Sequence, residues 1–386
     1  MPSTPITTFN DVVDHLLDHM GGVEEGRNVK MARRSVMSAY RGLPSVYNWS
    51  YYYKRGRINT VAAYSTGTVT YDHTGGTYEK QLTLSGGTWP SWAGRGMVTI
   101  SSIDYQVASR KSDTVLTLKT SSNPGEDVAA GTSYSIGQDT YVLPVDFQSA
   151  DEFRNASQNW DFPEYVSPGE WMELHRSNES SNQPRAYTIL ADPDYVGAMA
   201  VSFHPAPSSA DSIDFMYQRV PSPVRTMEYK TGQVVGQAGG TTVTGTDTKF
   251  TSKMVGSVLR FGTVKNLPDG VEGLYPFEEE RIITSVESDT SLTVDAVLSS
   301  AHSQVKYRIS DIIDIEPGAM LEAFLSYCEL RMSILMKDSD TGEKQDLYAG
   351  ALRLAMQADS RNYGSGKTQG GSGVSHLRDN ATITIT

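Results

Sequence analysis

The sequence predicts an α+β protein: a helical bundle formed by the N- and C-terminal helices, with two repeated small antiparallel β modules inserted between them. Three observations lead there. Apolar residues recur at helical spacing near both chain ends, strand-like alternation fills the middle, and one alternating stretch occurs twice. Ser112-Asp113-Thr114-Val115-Leu116-Thr117-Leu118 returns as Ser288-Asp289-Thr290-Ser291-Leu292-Thr293-Val294, in each case a polar turn leading into apolar and hydroxyl residues in alternation. The surroundings repeat in the same order. Tyr64-Ser65-Thr66-Gly67-Thr68-Val69 matches Tyr229-Lys230-Thr231-Gly232-Gln233-Val234, and Gly75-Gly76 matches Gly239-Gly240. Tyr134-Ser135-Ile136 with Pro144 matches Tyr307-Arg308-Ile309 with Pro317 at the same spacing.

From the N-terminus, Thr7 or Thr8 caps a first helix whose Phe9, Val12, Val13, Leu16, Leu17 and Met20 follow helical spacing until Gly21-Gly22. A second helix is expected from about Val23 to Tyr40, ending at Gly42 and Pro44, with Glu24 and Glu25 in its first turn. Its Arg27, Lys30, Arg34 and Arg41 share one face. That face is either a solvated surface or a contact with an acidic partner or a phosphate backbone. Tyr47, Trp49, Tyr51 and Tyr53 then alternate as on one face of a strand, which suits an apolar seam against the helices better than base stacking. The first module is expected over 58–146 and a middle β segment over 147–228. The middle segment would hold a short helix from Asp146 to Arg154, a strand Arg185–Leu190, and a hairpin of Met199–Phe203 with Ile213–Tyr217. The second module, 229–315, carries an acidic insertion from Asn266 to Glu280. Residues 316–362 return to helices, with one stripe of Leu321, Leu325, Cys328, Met332 and Leu335 and another of Leu347, Ala351, Leu354 and Ala358. The bundle thus comprises 1–57 and 316–362, and 363–386 is a Gly/Ser-rich flexible tail tipped by the alternating Ala381–Thr386. A tether carrying a strand suits docking onto a partner's sheet edge.

The chain has 386 residues, room for two or three cores, and a net charge of -12, which argues against general affinity for nucleic acid. An acidic wall can still surround DNA and let it slide. One cysteine, Cys328, excludes an internal disulfide and suits a reducing cytoplasm. The N-terminal residues lack the basic and apolar regions of a signal peptide, and no apolar run approaches a membrane span.

Motifs for chemistry are weak. Gly364-Ser365-Gly366-Lys367-Thr368 ends like a phosphate loop, but Arg361 stands where its first glycine belongs. Asp338–Glu343 begins like a calcium loop with its glycine one position early. His15 and His19 are four apart without a third ligand, which reads as a solvated helix face. No catalytic set and no metal or cofactor site is expected, and the protein is read as a non-enzyme.

Arg33–Arg41 followed by Trp49, the Arg185–Leu190 strand with the Phe203–Tyr217 hairpin, and Lys344–Ala351 together resemble the head-to-tail connector (adaptor) proteins of tailed bacteriophages. The resemblance implies a structural virion protein of the neck or tail, assembled in the host cytoplasm as a ring of about twelve copies. The ring would sit under the portal protein, extend the DNA channel without sequence-specific binding, and meet tail, nozzle or fibre proteins below. It also implies a C-terminal tail that docks into the portal, where Leu377, Ile383 and Ile385 are the apolar anchors. A receptor- or glycan-binding decoration protein is the competing reading, motivated by Trp89, Trp92, Tyr71 and Tyr78 in the first module. A hydrolase with carboxylates hidden among the strands is a third.

Overall fold

The computed structural model describes residues 7–19, 26–74, 79–155, 163–174, 183–268, 275–337 and 340–364. These form two compact units, one from the residues up to Tyr52 and from Pro221 on, the other from Tyr53 to Val220.

Helix α1 (Phe9–His19) opens the first unit. Thr8 caps it reciprocally with Asp11: the Thr8 N–H donates to the Asp11 carboxylate at 2.8 Å and the Asp11 N–H to the Thr8 hydroxyl at 3.3 Å. Helix α2 (Gly26–Val46) runs past the expected stop at Gly42 and Pro44, because Leu43 and Pro44 are themselves buried against the core. Gly42 lets α2 approach closely: a Cβ there would stand 3.2 Å from the Tyr327 ring. The aromatic run is not one strand. Ser50–Tyr52 makes a 3-10 turn, with Trp49 and Tyr52 fully buried, and the first strand begins only at Tyr53.

In the second unit, β1 (Tyr53–Asn59) leads into β2 (Thr68–Asp72), β3 (Gln81–Ser85), β4 (Met97–Ile100), β5 (Ile103–Arg110), β6 (Val115–Leu118), β7 (Val128–Thr132) and β8 (Tyr134–Gly137). Strands β2 to β8 form an antiparallel seven-stranded sheet in the order β7-β2-β3-β6-β5-β4-β8. After it come β9 (Thr140–Val142), β10 (Phe147–Asn155), β11 (Glu164–Tyr165), α3 (Pro168–Leu174), β12 (Ala186–Ala191), β13 (Met199–His204) and β14 (Ser212–Arg219). Two sheets, β1-β14-β10 and β11-β12-β13-β9, share a core of Ile58, Phe153, Tyr187, Val201, Phe203 and Phe215. Two local expectations fail here. Residues 147–155 form a strand rather than a helix, because they pair with β14 some sixty residues away. The strands at 199–204 and 212–219 do not form a hairpin: β13 pairs with β12 and β9, whereas β14 pairs with β1 and β10.

The chain then re-enters the first unit with β15 (Gln233–Gly236), β16 (Thr242–Thr246), β17 (Val258–Phe261), β18 (Glu279–Ser288), β19 (Ser291–Val294), β20 (His302–Val305) and β21 (Tyr307–Ser310). Their order, β20-β15-β16-β19-β18-β17-β21, reproduces the first sheet strand for strand. The details match as well. Gly67 and Gly232 both have φ near +87°, and a Cβ on either would lie 2.3 Å from a facing carbonyl, of Ser85 or Thr246. The Trp89 N–H donates to the Asp113 carbonyl at 2.7 Å and the Phe250 N–H to the Asp289 carbonyl at 2.9 Å. The Tyr134 hydroxyl closes onto the Thr66 carbonyl at 2.8 Å, and Tyr307 onto Thr231 at 2.5 Å.

Helices α4 (Ala319–Met336) and α5 (Thr341–Gly364) finish the described chain as a hairpin, turned at Lys337 with φ of 58°. Their core joins α1 and α2 through Val36, Tyr40, Met320, Phe324, Cys328, Met332 and Leu352. Burial pushes the Cys328 thiol well above its ordinary pKa. Of the stripe expected on α5 only Ala351 packs against the core: Leu347, Leu354 and Ala358 are exposed, and Tyr348, Leu352, Ala355 and Asp359 are the buried residues.

A helical bundle carrying two small insertions is therefore not the architecture. Among the described residues twenty-one strands stand against five α-helices, and each repeat is a curled seven-stranded sheet with its own core. The helices stand out in the sequence because their periodicity persists over long windows. The sheets are built largely from short strands whose pairing is non-local.

Candidate functional site

Helix α2 contains no acidic residue between Gly26 and Val46, yet carries Arg27, Lys30, Arg33, Arg34 and Arg41 in a chain of net charge -12. The four residues singled out from sequence, Arg27, Lys30, Arg34 and Arg41, are all exposed. None of the five cations makes an ion pair to a described residue. Arg33, whose Nε is buried without a described hydrogen-bond partner, was missed as part of this face. Its half-buried position follows from the helix turning past Ala32 and Val36 into the core.

The structure adds concavity to this charge. Arg33, Arg34, Met37, Ser38, Arg41, Gly42 and Thr226 line an open groove of about 590 Å³. Thr226 reaches it from a segment 180 residues away in sequence, which no local pattern signals. That segment is pinned. The Tyr40 hydroxyl donates to the Ser222 carbonyl at 2.7 Å, and the Ser222 N–H donates to Asp314 at 2.8 Å. Arg225 grips Asp311 through its backbone N–H at 2.6 Å and its guanidinium at 2.5–3.1 Å, and Ser257 adds a bond at 2.8 Å. Burial alone would raise the Asp311 carboxyl, but the bonds from Arg225 and Ser257 outweigh it and hold the group below its ordinary range. The segment that carries Thr226 is thus tied to the core on its side of the groove, and the groove's cations make no ion pair with a described residue.

A second uncovered surface lies on the α4–α5 hairpin. Leu347 and Leu354, seven residues apart on α5, are 58% and 64% exposed, and Ile334, Leu335 and Met336 are exposed at the end of α4. On the inner side of α5, buried Asp359 accepts from the Ser50 N–H at 3.1 and 3.3 Å and from the Ser50 hydroxyl. That contact orients α5 so that its leucines face away from the core. The tail anchors Leu377, Ile383 and Ile385 lie outside the described residues.

The remaining sequence candidates are structural or scattered. Trp89 and Tyr71 are each 1% exposed in the core of the first module, and Trp92 packs against the same core. Tyr78 lies outside the described residues. The His15 Nε2 sits 3.2 Å from Glu329. Among the described residues no group of three His, Cys, Asp or Glu could hold a metal, and no helix is long and apolar enough to cross a membrane. One buried polar set was not foreseen: the His302 side chain, fully enclosed, stacks on Phe261 at 4.1 Å and meets Glu279 at 3.0 Å, with Arg281 on the other side of that carboxylate. No protein-family model and no curated protein matches this chain.

Proposed function

We propose that the chain is a structural, non-catalytic particle protein, a head-to-tail adaptor of the tailed-bacteriophage type. Copies pack side by side through their helices into a ring under a portal protein, and the β modules serve tail, nozzle or fibre partners. The observation that carries this reading is the outward stripe of Leu347 and Leu354 on α5, the helix that leads directly into the 365–386 tail. Leucines this exposed on a rigid helix suit a contact with a second copy of the chain. The overall charge of -12 per copy adds support, since an acidic channel would let DNA pass without sticking. The glycan-binding alternative is weakened, because two of the four aromatics that suggested it, Tyr71 and Trp89, are core residues.

The test is mass photometry with class averaging on the purified chain, alone and mixed with a portal. The reading expects a portal-bound ring that is lost when the chain is cut after Gly364. A chain that ignores the portal in every form refutes it.

A further inference from the structure

We propose that the α2 groove is a binding site for the phosphate backbone of a nucleic acid. The inference goes beyond the adaptor reading and does not depend on ring formation, because every group involved belongs to one copy. Three features carry it.

The first is segregation of charge. Several arginines elsewhere have carboxylate partners: Arg55 and Arg57 share Asp214, Arg225 takes Asp311, Arg95 takes Asp192, and Arg260 takes Asp11 and Glu280. Among the described helices, α2 gathers five cations over Gly26–Val46 without an acid in that span. Bulk charge opposes polyanion binding, but screening limits that opposition to a range of roughly 8 Å at physiological salt, so a local cluster decides.

The second is the lining. Arg33, Arg34 and Arg41 stand around the groove with the Ser38 and Thr226 side chains. Guanidinium forks and neutral hydroxyl donors together match phosphate oxygens.

The third is extent. Arg27, Arg34 and Arg41 recur every seven residues, so they lie on one stripe about 21 Å long at 1.5 Å per residue. A duplex presents one charge per about 1.7 Å of axis, and a regular line of monoanions can engage the whole stripe. Tyr40 is buried, and Tyr47, the next aromatic along the chain, is half-buried with its ring edge-on to buried Trp49 at 5.1 Å; neither is among the residues that line the groove. Contact is with backbone, independent of base sequence.

The experiment is fluorescence anisotropy of the full chain with a labelled random duplex of about 20 base pairs, over 50 to 200 mM salt. With three to four phosphates neutralised, the expected slope of log K against log salt is about -3, a loss of roughly 60-fold across that range. Arg34→Glu with Arg41→Glu, both at exposed positions, should weaken binding more than about tenfold and flatten the slope by about two. An exposed control outside the groove, Arg353→Glu, should change neither. Circular dichroism melts check that each variant folds. The proposal is overturned by no binding at 50 mM salt or by unchanged affinity in the double variant. It is equally overturned by tighter binding of a polyglutamate peptide of equal charge, which would make the groove a site for an acidic protein.

Discussion

Arg260 offers a quantitative test of how helix α1 is held. Its side chain, 5% exposed on β17, donates to both Asp11 carboxylate oxygens at 2.5 and 2.9 Å and to Glu280 at 3.1 Å, and it lies 4.9 Å over the Phe277 ring. Burial alone would lower the guanidinium pKa, but the two carboxylates more than reverse this and raise it. Replacing Arg260 by Met strands two largely buried carboxylates, and breaking a buried pair from one side costs about 3–5 kcal/mol. The unit that holds it is of a size where 1 kcal/mol moves the melting midpoint by roughly 2–4 °C, so the drop should be about 6–20 °C. Scanning calorimetry of the wild type and Arg260→Met reads this directly. Two controls separate the cause from simple loss of packing. The triple variant Arg260→Met, Asp11→Asn, Glu280→Gln removes the stranded charge and should recover most of the loss. Raising salt should change the deficit little, because buried charges are poorly screened. A loss below about 1 kcal/mol, or no recovery in the triple variant, would refute the account, since the penalty would then not come from uncompensated charge.

The other expectations concern the ring face, a turn and acid stability. Leu347→Asp with Leu354→Asp should leave the melting curve unchanged, because both side chains already face solvent, yet abolish the portal-bound ring that the proposed function expects in mass photometry. Gly232→Ala forces a Cβ to within 2.3 Å of the Thr246 carbonyl at φ +87°, so thermal melts should show far more than the ~1–2 kcal/mol of a left-handed alanine. Gly256→Ala, at φ +86° with no atom within 4 Å of the added carbon, should cost only that. Asp311 is held below its ordinary value of 3.8, so it stabilises the fold fully above that value and loses the contribution as pH falls through its lower folded-state value. Asp311→Asn should therefore be less stable than wild type at pH 7 in urea titrations and converge with it under strong acid.

The sequence made some of this visible and hid the rest for identifiable reasons. Thr8 and Phe9–Leu17 announce α1 because capping and amphipathic spacing are local properties. The Ser112 and Ser288 turns and the Gly67 and Gly232 positions occupy equivalent places in two sheets of identical strand order. They are legible because steric limits on turns admit few residue types. Non-local pairing was not legible. Residues 147–155 look helical from their own composition, and only β14 makes them a strand. On α5 the chain carries two apolar stripes side by side, and periodicity cannot say which is inward. The choice is made by Asp359 reaching Ser50 across 309 residues of sequence. At the groove, the exposed cations could be read from spacing, whereas Thr226 and the depth of Arg33 depend on where a distant segment returns.

The two repeats share a backbone plan but differ where one of them meets a helix. In the second module, adjacent strands align Arg308, Arg260 and Glu280 in one cross-strand row. The equivalent row of the first module is Ser135, Thr99 and Asp104. The Thr99 hydroxyl still donates to Asp104 at 2.6 Å, so the local pairing is kept at smaller scale. Exchange of threonine for arginine extends the reach of the row beyond the sheet. Arg260 then grips Asp11, Arg308 comes within 3.8 Å of Asp14, and Asn10 donates to Ser310 at 3.0 Å. The Phe9 N–H adds a bond to the Asp311 carbonyl at 2.9 Å. The row of the first module has no group long enough to hold α1 in this way. Two copies of one sheet are therefore distinguished by a few side chains: the second is bolted to helix α1 by long cations, and the corresponding row of the first carries only short side chains.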